Sequence, residues 1–209
     1  MAPSMYSSVE AAARLLRSSS EGREAVAIVE GTISAMKARS TVHPAGLARE
    51  PAGNPLVFLD GLDGTGKSTL AKNLVRNFGE FASLVRSPPP ELSHLRPHFD
   101  KQADKELRRA FYLLGNYACA ARLGELAAKG PVVVDRFWPS TVAYAMAMDK
   151  KLDPGQAPRE MLQMPDDLLE LLPKAHPTTF LLLDLAEGER SARVRARAAA
   201  AAASPEGQR

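Results

Sequence analysis

Glycines, a lysine and a serine fall at fixed spacing in Gly61-Leu62-Asp63-Gly64-Thr65-Gly66-Lys67-Ser68, which fits G-x-x-x-x-G-K-[ST], the pattern of a phosphate-cradling loop. The glycines let the backbone turn tightly and approach phosphate oxygens. A helix opening after the loop aims free N–H groups and the positive end of its dipole at an anion. Lys67 supplies a mobile point charge for β- and γ-phosphates, and the Ser68 hydroxyl is placed to ligate Mg²⁺. The run therefore predicts a nucleoside triphosphate with Mg²⁺ as ligand. A second pair, Asp135-Arg136, has matching chemistry. The acid can hold a metal-bound water or orient an acceptor phosphate, and the guanidinium can fork onto phosphate oxygens. The competing readings are a glycine-rich turn with a stray lysine and a surface ion pair.

The flanking sequence supplies elements to position these groups. Leu56-Val57-Phe58-Leu59 is a short apolar run after Pro55 and suits a buried strand. Lys67 to Phe78 follows with Leu70, Leu74, Val75 and Phe78 at helical spacing, so the loop joins strand to helix. Ala82 to Arg86 reads as a second strand, stopped by Ser87-Pro88-Pro89-Pro90. The segment from there to Gln102 is polar and proline-punctuated, and reads as a long functional loop. Asp104 opens a helix to about Lys129 with Leu107, Phe111, Leu114, Ala118 and Ala121 on one face. Val132-Val133-Val134 is a continuous apolar strand, as in a parallel sheet covered on both faces. Asp135 stands at its C-terminal end, where ligands bind in open α/β sheets. A helix from about Ser140 to Met148, an irregular stretch with Pro154, Gly155 and Pro158, and a short helix near Pro165 to Leu172 follow. Phe180 to Leu183 is a fourth strand, and a final helix carries Arg190, Arg193, Arg195 and Arg197. The alternating order predicts an α/β doubly wound parallel sheet with helices on both faces.

Composition narrows the function. With 209 residues, 45% of them hydrophobic, the chain can form one α/β domain and a small extension. A net charge of +3 does not argue for nucleic-acid binding, and no apolar run approaches the roughly 20 residues of a membrane helix. Cys119 is the only cysteine, so no internal disulfide forms; among alanines it reads as a small buried hydrophobe. Neither N-K-x-D nor L-S-G-G-Q occurs, which argues against a GTPase switch and a transporter ATPase. Residues 1–39 read as an N-terminal helical extension, with a capping box of Ser7 and Glu10, one face of Val9, Ala12, Ala13 and Leu16, and a second helix carrying Val26, Val29, Ile33 and Met36. A mitochondrial transit peptide is the alternative for the first of these. Residues 40–54 read as a Pro/Gly linker, and 55–209 as the loop-bearing domain.

Taken together, Gly61 to Thr69, Arg86-Ser87-Pro88, Ala110 to Tyr117 and Asp135-Arg136-Phe137-Trp138-Pro139-Ser140 resemble the thymidylate kinase family over roughly residues 55–197. The stretch 108–117 is most similar to its mitochondrial UMP–CMP kinase 2 branch. The resemblance implies the P-loop nucleoside-monophosphate kinase fold and transfer of the γ-phosphate of ATP, with Mg²⁺, to a pyrimidine nucleoside monophosphate (dTMP, dUMP, UMP or CMP). It implies that Gly61, Leu62, Asp63, Gly64, Thr65, Gly66, Lys67, Ser68 and Thr69 bind the ATP phosphates. Asp63 then faces the acceptor sugar, and Arg86 and Arg136 hold the acceptor phosphate. Ser68 and Asp135 sit at the metal, and Lys67, Asp135 and Arg136 serve the transfer. Tyr112 falls where the family stacks an aromatic on the base, and Tyr144 where another borders it; a tyrosine on an apolar helix face also suits plain core.

Departures from the family pattern are informative. Asn116 stands where the family reads the base with arginine; an amide donates and accepts, so it suits cytosine as well as uracil. Asp60 replaces the usual Glu before the first glycine. Gly64 stands where some members carry an arginine, and those members lacking it draw the catalytic arginine from a lid; Arg193, in the basic run 190–197, is the candidate, a solvated helix face being the alternative. The resemblance also implies that the family's remaining lid and fifth strand are missing, leaving a sheet edge uncovered, weak ATP binding and little activity, and that the start of the chain is internal to a longer precursor. It implies a homodimer and a mitochondrial location, the cytoplasm being the alternative. The competing functions are a non-catalytic nucleotide-binding or regulatory module and another P-loop small-molecule kinase.

Overall fold

The computed structural model describes residues 6–40, 53–148, 162–174 and 176–202. Four parallel strands, β1 (Leu56–Gly61), β2 (Ser83–Arg86), β3 (Val132–Asp135) and β4 (Thr178–Leu183), lie in the order β2-β3-β1-β4. The helices are α1 (Val9–Leu16), α2 (Ser20–Ser40), α3 (Lys67–Phe78), α4 (Arg96–Asp100), α5 (Lys105–Lys129), α6 (Trp138–Met148), α7 (Asp166–Leu171) and α8 (Glu187–Ala202). The register places Leu59 opposite Asp135, and Asp135 opposite Arg86. The loop after β1, the acid ending β3 and the arginine ending β2 therefore share one C-terminal edge of the sheet, where crossovers leave a ligand crevice.

Both faces of the sheet are covered, which explains the unbroken apolar runs of β1 and β3. On one face Val57, Leu59 and Val133 pack with Ala71, Leu70, Leu74 and Val75 of α3. On the other, Leu56, Phe58, Val132 and Val134 share a core with Phe111, Leu114, Tyr117 and Leu123 of α5. That core also contains Ala12, Ala13 and Leu16 of α1 and Val26 and Val29 of α2. The N-terminal helices are therefore packed on α5 and joined to the sheet by common burial. Among the described strands β4 forms an edge, and Phe180, Leu181 and Leu182 on it are exposed.

Three local expectations are corrected. The cap of α1 is Ser8 rather than Ser7: the Ala11 N–H donates to Ser8 Oγ at 3.1 Å, and Glu10 pairs with Arg17. Starting one residue later leaves Glu10 at the second helical position, outside capping-box spacing. The segment after β2 is ordered as a 3-10 turn (Pro90–Leu92) followed by α4, and buries Leu92, Leu95 and Phe99. Pro90 and Pro97 sit in the first turns of these two pieces, where the missing N–H costs nothing, and Phe99 stacks on Phe111 with centroids 4.3 Å apart. Helix α6 begins at Trp138, two residues before the expected start. The proline-rich stretches at 41–52 and 149–161 lie outside the described residues.

Candidate active site

The loop after β1 turns on three glycines with positive φ: Gly61 at 135°, Gly64 at 88° and Gly66 at 95°. Gly66 caps α3 in the left-handed region, so Lys67 is the first residue of that helix. Lys67 is buried, and its Nζ folds back over the loop to donate to the Leu62 carbonyl at 2.5 Å, with Thr65 Oγ1 at 3.4 Å. Burial lowers its pKa, and the nearby Arg136 charge adds to the effect. Thr65 Oγ1 itself donates to Leu62 O at 2.9 Å and helps close the turn. Thr69 N–H donates to Gly66 O in the first turn of α3, and Leu62 is exposed at the loop's tip.

Asp135 joins the two halves of the crevice. Its Oδ2 accepts a hydrogen bond from Ser68 Oγ at 2.9 Å, and Arg86 Nε lies 3.6 Å from the same oxygen. Asp135 is buried while Arg86 is half-exposed. A hydroxyl and one carboxylate fit Mg²⁺, which keeps several waters and is held through one or two carboxylates plus substrate phosphates. Among the described residues no group of three or more His, Cys, Asp or Glu side chains forms an all-protein metal cage.

Arg136 centres a second cluster. Its φ of 71° places a non-glycine residue in the left-handed region, a cost of roughly 1–2 kcal/mol. The conformation is held at both ends: its N–H donates to Leu59 O at 2.9 Å, and Nη1 donates to Gly61 O at 3.1 Å and Ser140 Oγ at 2.8 Å. Nη2 pairs with Asp63, and the guanidinium lies 5.4 Å from the Tyr144 ring centroid. Tyr144 OH also donates to Asp63 Oδ2 at 3.3 Å. Burial would raise the Asp63 pKa, but Arg136 chiefly, with Lys67 and Tyr144, holds it below the ordinary carboxylate value.

The remaining candidates divide. Asn116 is fully buried with its amide occupied: Ser87 Oγ donates to its Oδ1 at 2.7 Å, and its Nδ2 donates to Thr141 Oγ1 at 2.8 Å. The close approach of α5 to this loop needs Gly115, where a Cβ would stand 3.0 Å from Pro88. Tyr112 does not join the cluster. Its hydroxyl donates to Asp100 Oδ1 at 2.5 Å, and Arg96 lies 5.8 Å from its ring, so α4 occupies it. Arg193 ion-pairs with Glu189, and its Nη1 stands 3.9 Å from the point where a Cβ on Gly66 would lie. Helix α8 rests on the loop: Arg190 Nη1 donates to Asp63 O at 3.1 Å, and Val194 abuts Gly64. Asp60, singled out only as a departure, is engaged with Gly61 N–H and Ser140. Ser87 and Thr141 were not singled out as site residues at all. Their roles depend on chain crossings between β2, α5 and α6, and no local spacing signals them.

The thymidylate kinase family model matches residues 59–206. This chain belongs to the thymidylate kinase family. Among relatives, the mitochondrial UMP-CMP kinase 2 of Homo sapiens is 37% identical over 147 residues, covering 68% of this chain and 30% of that protein. A thymidylate kinase of Xanthomonas campestris pv. campestris is 32% identical over 158 residues, covering 69% of this chain and 62% of its own length. This thymidylate kinase family member therefore spans less than two thirds of either relative. The solved thymidylate kinase of Candida albicans superposes with a TM-score of 0.51 at 24% identity, over 68% of this chain and 67% of that one, a likeness of fold.

Proposed function

We propose that this thymidylate kinase family member carries an ATP-dependent nucleoside-monophosphate kinase site that accepts pyrimidine monophosphates. The observation that supports it most is Asp135, on which the donor-side Ser68 and the acceptor-side Arg86 converge within 3.6 Å of one carboxylate oxygen. The acceptor phosphate attacks the γ-phosphorus in line, forming the new P–O bond as the bond to the β-phosphate oxygen breaks and ADP leaves. Lys67 releases Leu62 O and neutralises charge on the β/γ oxygens. Mg²⁺, when bound at Ser68 and Asp135, offsets charge that builds in the transfer. Arg86 and Arg136 hold the acceptor phosphate, and Asp63 and Tyr144 border its sugar and base. Helix α8 excludes water above the loop and brings Arg193 to the migrating group.

Asn116 acts on the base through two hydroxyls that it orients: Ser87, whose hydrogen goes to Asn116 Oδ1, is left to accept, and Thr141, which accepts from Asn116 Nδ2, is left to donate. That pairing of an acceptor with a donor favours CMP and UMP, ribo or deoxy, over dTMP. Nucleotides are the proposed partners, with a mitochondrial compartment following the Homo sapiens relative's name. The homodimer implied through α5 is checked by sedimentation, since α1 and α2 already pack along that helix. No described helix is long and apolar enough to cross a membrane. The function is tested by ADP release from ATP and Mg²⁺ with CMP, UMP, dCMP and dTMP in turn. Release that depends on the acceptor and is fastest with CMP or UMP is expected. Equal or faster turnover of dTMP would refute the base reading, and binding without any acceptor-dependent release would assign a non-catalytic nucleotide-binding module.

A further inference from the structure

We propose that Asp60 is a positioning residue that aims Arg136 through Ser140. This rests on the reading of Arg136 as a phosphate ligand. The chain of contacts is continuous. Asp60 Oδ1 accepts from Ser140 Oγ at 2.5 Å, Asp60 Oδ2 accepts from Ser140 N–H at 2.9 Å, and Ser140 Oγ accepts from Arg136 Nη1 at 2.8 Å. Ser140 is buried.

The chemistry of this relay is directional. A serine hydroxyl has one hydrogen. Because the Asp60 carboxylate takes that hydrogen, the Ser140 oxygen turns its lone pairs to Arg136, a guanidinium that can only donate. Asp60 also accepts from the N–H of the third residue of α6, one of the helix's unpaired donors, so it fixes where that helix begins relative to β1. With Gly61 O as the second acceptor for the same Nη1 at 3.1 Å, this edge of the guanidinium is locked. The other nitrogen, Nη2, is left on the exposed Asp63, from which an incoming phosphate can draw it.

Asparagine cannot replace Asp60 in this role. Both Ser140 donors, N–H and O–H, point at the carboxylate, one at each oxygen. An amide offers one acceptor and one donor, so either rotamer sets a donor against a donor. If its nitrogen faces Ser140 Oγ, the hydroxyl hydrogen turns toward Arg136 and repels it. The same geometry gives the aspartate a role on α6 and Arg136, in place of an acidic reach toward the nucleotide phosphates.

The test is calorimetric titration of CMP, cytidine and ATP with Mg²⁺ into the wild-type chain, Asp60→Asn, Ser140→Ala and the double variant, with a thermal melt of each. Cytidine lacks the phosphate and reports contacts that Arg136 does not make. Each single variant is expected to weaken CMP about tenfold and cytidine less than twofold. Ser140→Ala is expected to leave ATP within twofold. The double variant is expected to bind CMP no more than about threefold worse than either single one, because both break the same relay. CMP and cytidine weakening equally, or multiplicative losses of about a hundredfold, would overturn the relay, as would unchanged CMP binding in either variant. Should Asp60→Asn fail to melt cooperatively, Ser140→Ala decides by the CMP-to-cytidine ratio alone. A wild-type chain that binds CMP no tighter than cytidine would instead overturn the reading of Arg136 as a phosphate ligand, and the relay with it.

Discussion

Gly64→Ala separates two costs that the loop and α8 impose on one position. Gly64 has φ +88°, where an L side chain is strained, and its Cβ would lie 2.8 Å from the Arg190 carbonyl oxygen and 2.9 Å from Val194 Cγ2. The left-handed conformation costs an alanine roughly 1–2 kcal/mol. This cost belongs to the loop and appears in global unfolding. At about 2–4 °C per kcal/mol for a chain of this size, it lowers the melting temperature by roughly 2–8 °C. The contact with α8 is a separate cost. It falls short of the 3.4 Å at which ordinary contact begins by about 0.6 Å, being 3.4 less 2.8, and a backbone carbonyl has little room to give. Helix α8 must therefore tilt off the loop and lengthen the 3.1 Å bond from Arg190 to Asp63 O, a loss of about 1 kcal/mol. That appears locally, as about fivefold faster amide exchange in α8 with α5 unchanged. Gly31→Ala is the control: nothing lies within 4 Å of its Cβ in α2, so it is expected to stabilise by about 0.5–1 kcal/mol. A Gly64→Ala melt within 2 °C of wild type, with α8 exchange unchanged, would refute both the strain and the packing argument.

Other outcomes follow from the same geometry. Tyr117→Phe removes the hydroxyl that donates to Asp167 Oδ1 at 2.6 Å, leaving the carboxylate that also accepts from Val9 N–H at 2.8 Å; a loss of about 1.5–3 kcal/mol is expected by denaturant melt, and less than 0.5 would contradict it. Burial pushes the Cys119 thiol up to about 12, so it is expected to resist a thiol reagent at pH 8 until the chain unfolds; prompt labelling of the native protein would contradict its burial. Asp63, held below its ordinary value of 3.8 by Arg136 against the opposing effect of burial, contributes stability that is complete above about pH 3.8 and lost as pH falls through its lower native value. Carbon NMR titration is expected to give a midpoint below 3.8 in the wild type and a higher one in Arg136→Met; an unmoved midpoint would contradict the pairing.

Much of the fold was legible because it is written in local spacing. The run 61–68, the apolar stretches 56–59 and 132–134, and the face of α5 each announced an element, and burial on both sides of the sheet confirmed the pattern. The turn at 90–100 was missed because its prolines read as breakers, although Leu92, Leu95 and Phe99 already stood at helical spacing. The geometry of the loop proposed for the donor side was equally legible, since one contiguous run carries it. The acceptor side was not. Asp60 meets Ser140 across 80 residues, and Ser87 meets Asn116 across 29. Tyr112 falls where the resemblance implies a ring stacked on the base; the structure adds that its hydroxyl donates to Asp100 of α4, an element the sequence did not announce.

The central claim is that one crevice holds a donor site on Lys67 and a separate acceptor site on Arg136. Titration of ATP with Mg²⁺, and separately of CMP, into Lys67→Ala and Arg136→Ala tests it most directly. Lys67→Ala is expected to weaken ATP at least tenfold and leave CMP within twofold, and Arg136→Ala to do the reverse. Both substitutions weakening the same ligand, or neither weakening either, would contradict the two-site account.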